Sequence, residues 1–594
     1  MQSNTQAVTA ADYFNRVSKS NPVFINRDTI AYLDDSSGTN QLFLVDLSTG
    51  DNRRITDFSE GILTLIASPS TGTIVYGIDQ NGNERQQLYA IANNESSAVR
   101  ITHDDNAFFE PGALTPDGEL AVYRTNSRDE SIFDVEVCNL TKSKSRIWLQ
   151  DGGQVLPQDI SQSGALIIQS RDNASDDLLL ITEARNTRNF TEDVAGHRIY
   201  CAVFDADNEK AWVVSEIERE FPAVFLLDLV SGEFSLFYEA DWGVELVSIS
   251  PDGNHLALSV NENGYSVPYI LPTTNAANIR EMKAPEGVID RFSWSPDSSQ
   301  IVFGLSNSEN PSQLFISDLR GNVQPVMKPE EKVVPTVPAE SVHFRTWDDR
   351  AIPAYLYLPD GPGPHAALIE IHGGPESQRR PEYGSTGASI QFLVSQGIAV
   401  LALNIRGSIG YGREYRHLDD KDKRLDALKD VEQAVKWLGS RDDISADRIA
   451  VFGISYGGFM TLSALTRLPQ LWAAGAEMVG MAHLETFLER TGPWRRPHRE
   501  GEYGTLANDR EMLRAVSPLP LVDQISAPLL VLHGKNDARV PLFESEQIVE
   551  AVSSRGLDVG LVIYDDEGHI FTKRKNLVDA YTRIGDFLRK HLRI

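Results

Sequence analysis

At 594 residues, the chain is several times the usual size of one domain, so we expect it to fold into more than one unit. Apolar residues make up 41% and charged residues 23%, a composition that excludes a disordered, collagen-like or coiled-coil chain. The formal net charge of −29 argues against nucleic acid as a partner, because binding to a phosphate backbone depends on Lys and Arg.

Membrane insertion and secretion are also disfavoured by the sequence. No stretch approaches the roughly 18 to 20 apolar residues that span a bilayer, and the first residues lack the basic and apolar segments of a secretory signal. Cys138 and Cys201 are the only cysteines, too few to cross-link a chain of this size. We therefore predict a cytoplasmic protein with reduced thiols and no membrane partner, and we leave the formation of a homo-oligomer open.

The charge is unevenly distributed along the chain. Residues 1–340 carry 24 basic and 50 acidic side chains, a balance of −26, whereas residues 341–594 carry 31 and 34, a balance of −3. The segment 327–340 has three prolines in fourteen residues, which is typical of a semi-rigid linker. We place two units at 21–326 and 341–594 on either side of it. One interpretation of the N-terminal segment 1–20 is a helix that packs on the second unit.

The first unit contains an internal repeat that begins with a turn of the Ser-Pro-Asp-Gly type. In such a turn Pro presets φ, Asp bonds its own backbone, and Gly accepts a positive φ. Clear copies begin at Thr115, Ser250 and Ser295 and degenerate ones at Ser68, Ser161 and Asp205; these six lie 44 to 47 residues apart, and an earlier copy at Asn26 gives seven. Each turn precedes β-rich segments such as Leu120-Ala-Val-Tyr-Arg124 and Ile301-Val-Phe-Gly-Leu305. Seven such units predict a seven-bladed β-propeller, and their even spacing disfavours the alternative of two β-sandwiches.

In the second unit, apolar strands alternate with helical periods, which predicts a doubly wound, mostly parallel sheet with crossover helices. The helical pattern is clearest at Val431, Ala434, Val435 and Leu438, and a closing helix is predicted from Leu577 to Leu592. The predicted buried strands are His365–Ile371, Gly397–Leu403, Arg448–Phe452, Pro528–Leu532 and Val559–Tyr564.

One predicted strand ends at Gly453-Ile-Ser-Tyr-Gly457, before a helical stretch. This is the Gly-x-Ser-x-Gly nucleophile elbow in its strand, turn and helix context, whereas the pentapeptide alone would be a weak signal. The elbow favours Ser455 as a catalytic nucleophile over a purely structural tight turn. It also indicates an α/β-hydrolase domain.

A serine needs a histidine as base and a carboxylate that fixes the tautomer of that histidine. In the α/β-hydrolase order both partners follow the serine, which favours Asp537 and His569, each located just after a predicted strand. Asp523, Asp565 and Asp566 compete less well, since the first precedes its strand and the others crowd the histidine's own loop. The rival histidine, His533, is expected to pack or bond locally.

The oxyanion of the tetrahedral intermediate requires preorganised donors. We predict the backbone N–H of Tyr456, which follows the nucleophile, and the N–H of Gly374 in His372-Gly-Gly-Pro375. A plain turn at the end of the strand is the alternative for this second segment.

Together these segments, with Asn404-Ile-Arg-Gly-Ser408, Gly410-Tyr-Gly412 and Asp537-Ala-Arg-Val540, resemble the prolyl oligopeptidase family of serine peptidases, in particular its acylaminoacyl-peptidase-like branch. The resemblance covers essentially the whole chain. It implies a propeller that caps the active site and admits only short, unfolded peptides. It also implies that Arg539 binds a substrate carbonyl. At the position of His372, relatives carry a tyrosine that assists the oxyanion, so we include His372 among the substrate-binding candidates and leave its contribution open.

An apolar pocket for the residue before the scissile bond is expected between the nucleophile helix and the Asp537 strand. Trp494, in a polar stretch, is our candidate, whereas Met481, Leu484, Phe487 and Tyr503 are better explained by core packing. Relatives that release dipeptides hold a free amino terminus with paired glutamates. Glu216-Ile-Glu-Arg-Glu220 could supply such a pair, but a solvated run of charges is the favoured interpretation.

The sequence therefore predicts a serine peptidase that hydrolyses short peptides through an acyl-enzyme, an acylaminoacyl peptidase or a related exopeptidase or oligopeptidase. An esterase or small-amide hydrolase using the same triad is an alternative, and a non-catalytic propeller scaffold is a third, disfavoured by the complete Ser, Asp, His order. No metal motif, phosphate-binding loop or dinucleotide fingerprint stands out, so no cofactor is predicted.

Overall fold

The structure, a computed structural model, describes residues 8–91, 97–150, 152–171, 176–181, 186–192, 196–328 and 334–594. The start of the predicted N-terminal segment (1–7) and the middle of the predicted linker (329–333) lie outside the described residues. No helix among the described residues is long and apolar enough to cross a bilayer.

The first unit is a seven-bladed β-propeller, which confirms the prediction from the repeat. Each blade is an antiparallel sheet of four strands in sequence order. Blade by blade, the strands are β1 (Lys19–Phe24), β2 (Thr29–Asp34), β3 (Gln41–Asp46), β4 (Asn52–Arg54); β5 (Ile62–Ala67), β6 (Ile74–Ile78), β7 (Gln87–Ile91), β8 (Val99–Arg100); β9 (Phe109–Leu114), β10 (Leu120–Thr125), β11 (Asp134–Asn139), β12 (Lys144–Leu149); β13 (Gln154–Ile160), β14 (Leu166–Arg171), β15 (Asp176–Ile181), β16 (Thr187–Asn189); β17 (Ile199–Phe204), β18 (Lys210–Ser215), β19 (Ala223–Asp228), β20 (Phe234–Tyr238); β21 (Gly243–Ile249), β22 (His255–Glu262), β23 (Tyr265–Pro272), β24 (Arg280–Glu281); β25 (Val288–Trp294), β26 (Gln300–Asn307), β27 (Asn310–Asp318) and β28 (Val323–Pro325).

The repeated turns have the chemistry that their sequence predicts. In the blade-six copy, Ser250 Oγ donates to Asp252 Oδ1 at 2.6 Å, and Gly253 adopts φ +72°. The apolar strands that follow each turn pack between neighbouring blades. The last blade packs directly on the first through clusters that contain Ile30 and Val302, while each blade keeps its own sheet.

The second unit is an α/β domain built on one eight-stranded sheet with the order β29-β30-β32-β31-β33-β34-β35-β36. β30 pairs antiparallel with both β29 and β32, and every other pair, from β32 across the sheet to β36, is parallel. The strands are β29 (Glu340–Arg345), β30 (Ala351–Tyr357), β31 (His365–Ile371), β32 (Ile398–Leu403), β33 (Ile444–Ile454), β34 (Ala474–Met478), β35 (Leu529–Gly534) and β36 (Val559–Tyr564).

Helices cover both faces of this sheet, which explains why its central strands are apolar along their whole length. The helices are α1 (Ala10–Phe14), α2 (Gly384–Ser395), α3 (Arg413–Arg416), α4 (Asp426–Gly439), α5 (Tyr456–Arg467), α6 (Leu484–Arg490), α7 (Arg496–Tyr503), α8 (Arg510–Val516), α9 (Phe543–Ser553) and α10 (Arg574–Leu592). The short N-terminal helix α1 belongs to this unit: Phe14 stacks on Tyr581 of α10 with ring centroids 5.2 Å apart.

The propeller presents one face to the α/β domain, to which the connections between the second and third strands and those between blades both contribute. These connections carry acidic side chains that pair with basic residues of the other unit, so part of the acid surplus of the first unit lies at the interface. Among these ion pairs are Asp35 with Arg574, Glu84 with Arg495 and Arg539, and Glu216 with Arg416.

Candidate active site

The nucleophile elbow lies between β33 and α5. Ser455 has φ 59° and ψ −116°, a strained backbone for a residue with a side chain, and this lifts it out of the line of the strand. Glycines on both sides are required by close approach. A Cβ at Gly453 would lie 2.2 Å from the carbonyl oxygen of Gly457, and one at Gly457 would lie 2.0 Å from the carbonyl oxygen of Ile371.

The structure brings Ser455, His569 and Asp537 together in one hydrogen-bonded chain. Nε2 of His569 is 3.0 Å from Ser455 Oγ, and its Nδ1 is 2.7 Å from Asp537 Oδ2. The three residues come from the ends of three parallel strands, β33, β35 and β36. Because parallel strands end at the same edge of a sheet, residues more than a hundred positions apart meet there.

The carboxylate of Asp537 is held in place by its own turn. Its Oδ1 accepts the backbone N–H groups of Arg539 and Val540 at 2.8 and 2.9 Å, which leaves Oδ2 for histidine contacts. Burial opposes the charge, but His569 and the hydrogen bonds from His533 and His569 hold the pKa of Asp537 well below its usual range. Asp537 therefore remains a carboxylate.

His569 has the opposite balance. Burial lowers the pKa of its imidazole despite the neighbouring Asp537, which acts to raise it. Near neutral pH the ring is therefore mainly uncharged. With Nδ1 facing a carboxylate, the ring carries its proton there and leaves the Nε2 lone pair directed at the serine hydroxyl.

Tyr456 is the first residue of α5. The first bond of the helix ladder runs from the N–H of Phe459 to the carbonyl of Ser455, at 3.0 Å, so the N–H of Tyr456 lies ahead of that ladder. A hydrogen bond from the Tyr456 hydroxyl to Asp419 Oδ2, at 2.8 Å, holds its side chain in place.

The segment His372-Gly-Gly-Pro375 passes directly beside the serine. A Cβ at Gly373 would lie 3.4 Å from Ser455 Cβ, and Gly374 has φ +129°, a conformation that favours glycine. The ring of His372 is buried, and its nitrogens are 2.8 Å from Ser408 Oγ and 2.6 Å from the Gly373 carbonyl oxygen. Burial lowers the pKa of His372 to about 4. His372 thus fastens the glycine turn to the 405–408 loop.

Arg539 is held by a propeller residue. Its Nε donates to Glu84 Oε1, and the other oxygen of Glu84 accepts from Arg495 Nη2 at 2.5 Å. Glu84 is buried, and despite that burial the two arginines and His569 hold its pKa below the usual range. These side chains line a cavity of about 360 Å³ next to His569, which we call the blade-two cavity, lined by Leu63, Glu84, Phe108, Arg495, Arg539 and Ile570.

Trp494 packs its side chain against the propeller. Its ring is buried in the apolar cluster around Phe133 and Trp148, and its carbonyl accepts from Gln154 Nε2 at 2.8 Å. The remaining candidates for an apolar pocket are core residues of the α/β domain, namely Met481, Leu484, Phe487 and Tyr503.

Glu216 is not a solvated charge. Only 1% of the residue is exposed, and its carboxylate accepts hydrogen bonds from Arg416 Nη2 at 2.6 Å and from the Tyr200 hydroxyl at 3.0 Å. Glu220 is exposed, and its carboxylate caps the backbone N–H of Glu414 at 2.7 Å. These two carboxylates already have protein partners, so the sequence motif does not present a free pair.

Sequence reasoning missed Glu84, Arg495 and Asp419. The only local signal for Glu84 is that the connection from β6 to β7 is long enough to reach the other unit. Asp419, Asp420 and Glu502 bring carboxylate oxygens within 4.8 Å of one another, which could suit a metal ion. However, Arg424 donates to both Asp419 and Glu502, so its guanidinium already supplies the cation of this cluster.

A serine at a nucleophile elbow, with a histidine and an aspartate in one hydrogen-bonded chain, defines a serine hydrolase. Comparisons with known proteins agree. Residues 385–594 match the model of the prolyl oligopeptidase family. The dipeptidyl aminopeptidase BIII of Pseudoxanthomonas mexicana is 27% identical over 577 residues, which cover 92% of this chain and 76% of that protein.

The acylamino-acid-releasing enzyme 1 of Oryza sativa subsp. japonica is 26% identical over 272 residues, which cover 43% of this chain and only 32% of that protein. A solved structure from a study of two prolyl endopeptidases superimposes with a TM-score of 0.87 at 18% identity, covering 98% of this chain and 91% of that one. That likeness supports the two-unit fold. Residues 385–594 thus match the prolyl oligopeptidase family, and the chain is a serine peptidase similar to members of that family.

Proposed function

We propose that Ser455 is the nucleophile of this peptidase, His569 its general base and Asp537 the carboxylate that orients the base. The observation that carries the proposal is the hydrogen-bonded chain from Ser455 Oγ through His569 to Asp537, at 3.0 and 2.7 Å. As Ser455 Oγ attacks the peptide carbonyl, its proton moves to His569 Nε2, and the resulting imidazolium is stabilised by Asp537.

The negative oxygen of the tetrahedral intermediate is stabilised by the backbone N–H groups of Tyr456 and Gly374. The position of Tyr456 at the start of α5 supports this role, because the N-terminal end of a helix favours negative charge. His569 then protonates the leaving amine. Water hydrolyses the acyl-enzyme in a second step that uses the same residues.

We propose that the substrates are short peptides. The propeller covers the triad closely: Asn536, beside Asp537, donates to the carbonyl of Asn81 at 3.0 Å, and Gly568, beside His569, lies against Gly82. A folded protein cannot pass between surfaces in such contact. The blade-two cavity next to His569, about 360 Å³, has room for a few residues of an extended chain.

The charges of this cavity favour a peptide whose amino end is acylated. A free ammonium group needs an unpaired carboxylate, but Glu84 is held by two arginines and Glu110 pairs with Arg124. Asp79 accepts the backbone N–H of Glu84 at 3.0 Å, and burial raises the pKa of its carboxyl group. We therefore propose an acylaminoacyl peptidase that releases an N-acylated residue. Arg539 is proposed to bind a substrate carbonyl, in exchange for part of its contact with Glu84.

The second candidate is a dipeptidyl aminopeptidase, favoured by the similarity to the Pseudoxanthomonas mexicana enzyme over 92% of the chain. The two functions differ in the amino end that they accept.

The test is a panel of matched short peptides with free, acetylated and bulky-blocked amino ends, with Ser455→Ala as the control for background cleavage. Faster cleavage of the acetylated peptides, one residue from the end, supports the first candidate. Release of dipeptides from free amino ends only would favour the second. Turnover of small esters without cleavage of any peptide in the panel would contradict both.

We also propose a cytoplasmic location, supported by the two cysteines, which are both free thiols. Cell fractionation tests it.

A further inference from the structure

A second histidine, His533, lies on the far side of the Asp537 carboxylate. It lies one residue before the end of β35, and its side chain is fully buried. Its Nε2 is 3.4 Å from Asp537 Oδ2, the same oxygen that is 2.7 Å from Nδ1 of His569. One carboxylate oxygen therefore lies between two imidazole rings.

The surroundings of His533 fix which nitrogen carries its proton. Nε2 is also 2.9 Å from the carbonyl oxygen of Val540. Because both of these neighbours are acceptors, Nε2 must be protonated; its N–H donates to the Val540 carbonyl, and Asp537 Oδ2 lies close to the same N–H in a longer, electrostatic contact of 3.4 Å. Nδ1 is 2.7 Å from Ser545 Oγ, a hydroxyl that can donate or accept. The proton on Nε2, next to Asp537 Oδ2, is therefore present whether the ring is neutral or charged.

The charge that faces His533 is that of Asp537. The other acidic group facing the ring is Glu477, on the neighbouring strand β34, and burial raises its pKa to about 7. Glu544, which precedes Ser545 on α9, accepts the backbone N–H groups of Ala482 and His483, and burial raises its pKa to about 7 as well. Asp537, with its lowered pKa, is the group that stays ionised.

We propose that His533 is a positioning residue of the triad: its Nε2–H holds Oδ2 of Asp537 against His569 and offsets part of the carboxylate charge. The two backbone donors of the turn both bind Oδ1, so they do not position Oδ2, and His533 lies next to that oxygen. The inference rests on the proposed catalytic role of Asp537 and His569.

Removal of the His533 donor has two consequences. Oδ2 loses one of its two side-chain partners, so the orientation of His569 is less well defined and kcat falls. The carboxylate charge is also less offset and stabilises the imidazolium form of His569 more strongly, which raises the pKa of His569. The acid limb of the pH profile of kcat/KM, which reports deprotonation of that base, should then move to higher pH.

The experiment compares His533→Gln, His533→Asn and His533→Leu in the full chain, with His255→Leu in blade six as a remote histidine control. The amide nitrogen of Gln reaches the position of Nε2, whereas that of Asn reaches only the position of Nδ1. Activity on an acetylated peptide is measured across the range in which histidine titrates, and thermal unfolding verifies each fold.

We expect His533→Leu and His533→Asn to lose about tenfold in kcat, the low end for a hydrogen bond to a charged group, with little change in KM. Their acid limb should move up by about one pH unit. His533→Gln should recover most of kcat. Since Gln and Asn are compared with each other, the test stands even if His533→Leu does not fold.

An unchanged acid limb in a folded His533→Asn variant, or equal losses in the Gln and Asn variants, would overturn the inference. Neither result touches the proposed function, which depends instead on Ser455→Ala being inactive. If Ser455→Ala kept its activity, the proposed function itself would fail.

Discussion

The contact between Gly82 of the propeller and Gly568, the residue before His569, offers a sharp perturbation of the site. A Cβ at Gly568 would lie 1.8 Å from the carbonyl oxygen of Gly82, where real Cβ atoms stay beyond 3.0 Å. Gly568→Ala must therefore displace one backbone from the other by about 1.2 Å, the difference between these two distances. Neither group is a flexible side chain that could swing aside.

The displacement acts on His569, the proposed catalytic base. Since His569 follows Gly568 directly, part of the shift reaches the 3.0 Å contact between His569 Nε2 and Ser455 Oγ. Misplacement of a reacting group by about 1 Å costs on the order of a hundredfold in rate. We expect Gly568→Ala to lower kcat/KM by about that factor, or about 2.7 kcal/mol at 1.36 kcal/mol for each factor of ten.

The assay measures kcat/KM on a short acetylated peptide and on a small ester, together with thermal unfolding. Both substrates should lose activity equally, because the base serves both. Gly61→Ala is the matched control, since a Cβ there would meet its nearest atom at an ordinary 3.5 Å. Full activity of Gly568→Ala, with Gly61→Ala also active, would refute the argument that this contact positions the base.

Three further results are expected. Ser455→Ala should abolish peptide hydrolysis and labelling by fluorophosphonate probes while the protein stays folded, and residual turnover by the folded variant would contradict its role as nucleophile. Arg539→Ala should raise the barrier for kcat/KM on peptides by about 1.5 to 3 kcal/mol, the range for a hydrogen bond to a charged group, and less on a small ester that lacks the bound carbonyl; equal losses would mean that Arg539 acts only by holding Glu84. Because burial lowers the pKa of His569 and the neutral ring is the base, activity should persist as the pH falls below about 6.5, the value of a free histidine, so an acid limb above that pH would contradict the direction of the shift.

Local chemistry in the sequence was sufficient to predict both folds. The Ser-Pro-Asp-Gly turn works through its own four residues, so its three clear copies, with the regular spacing of the degenerate ones, were enough to predict seven blades. Buried parallel strands are apolar throughout, so the sequence predicted β31 and β36 with the same first and last residues that the structure shows. The strand β34 was missed, since Gly475 and Glu477 interrupt the apolar pattern in a segment of only five residues.

The candidate triad was also predictable, because the order of Ser455, Asp537 and His569 and their positions after strands follow from the topology of a parallel sheet. The structure brings Ser455 and Asp537 each within hydrogen-bond distance of His569. Their sequence context did not show that His533 approaches the same carboxylate, since that contact depends on how the 534–540 turn folds back on its strand.

The contacts between the two units were decided only by the tertiary structure. Glu84 meets Arg539 across 455 positions of sequence, and Arg416 buries Glu216 across 200. The side chain of Trp494 likewise packs in an apolar cluster of the propeller, although its backbone belongs to the α/β domain. The sequence by itself determined which segments form blades, strands and the elbow, because those depend on neighbours within a few residues. It could not determine which acidic side chain of the propeller faces which arginine, because that depends on how two separately folded surfaces are juxtaposed.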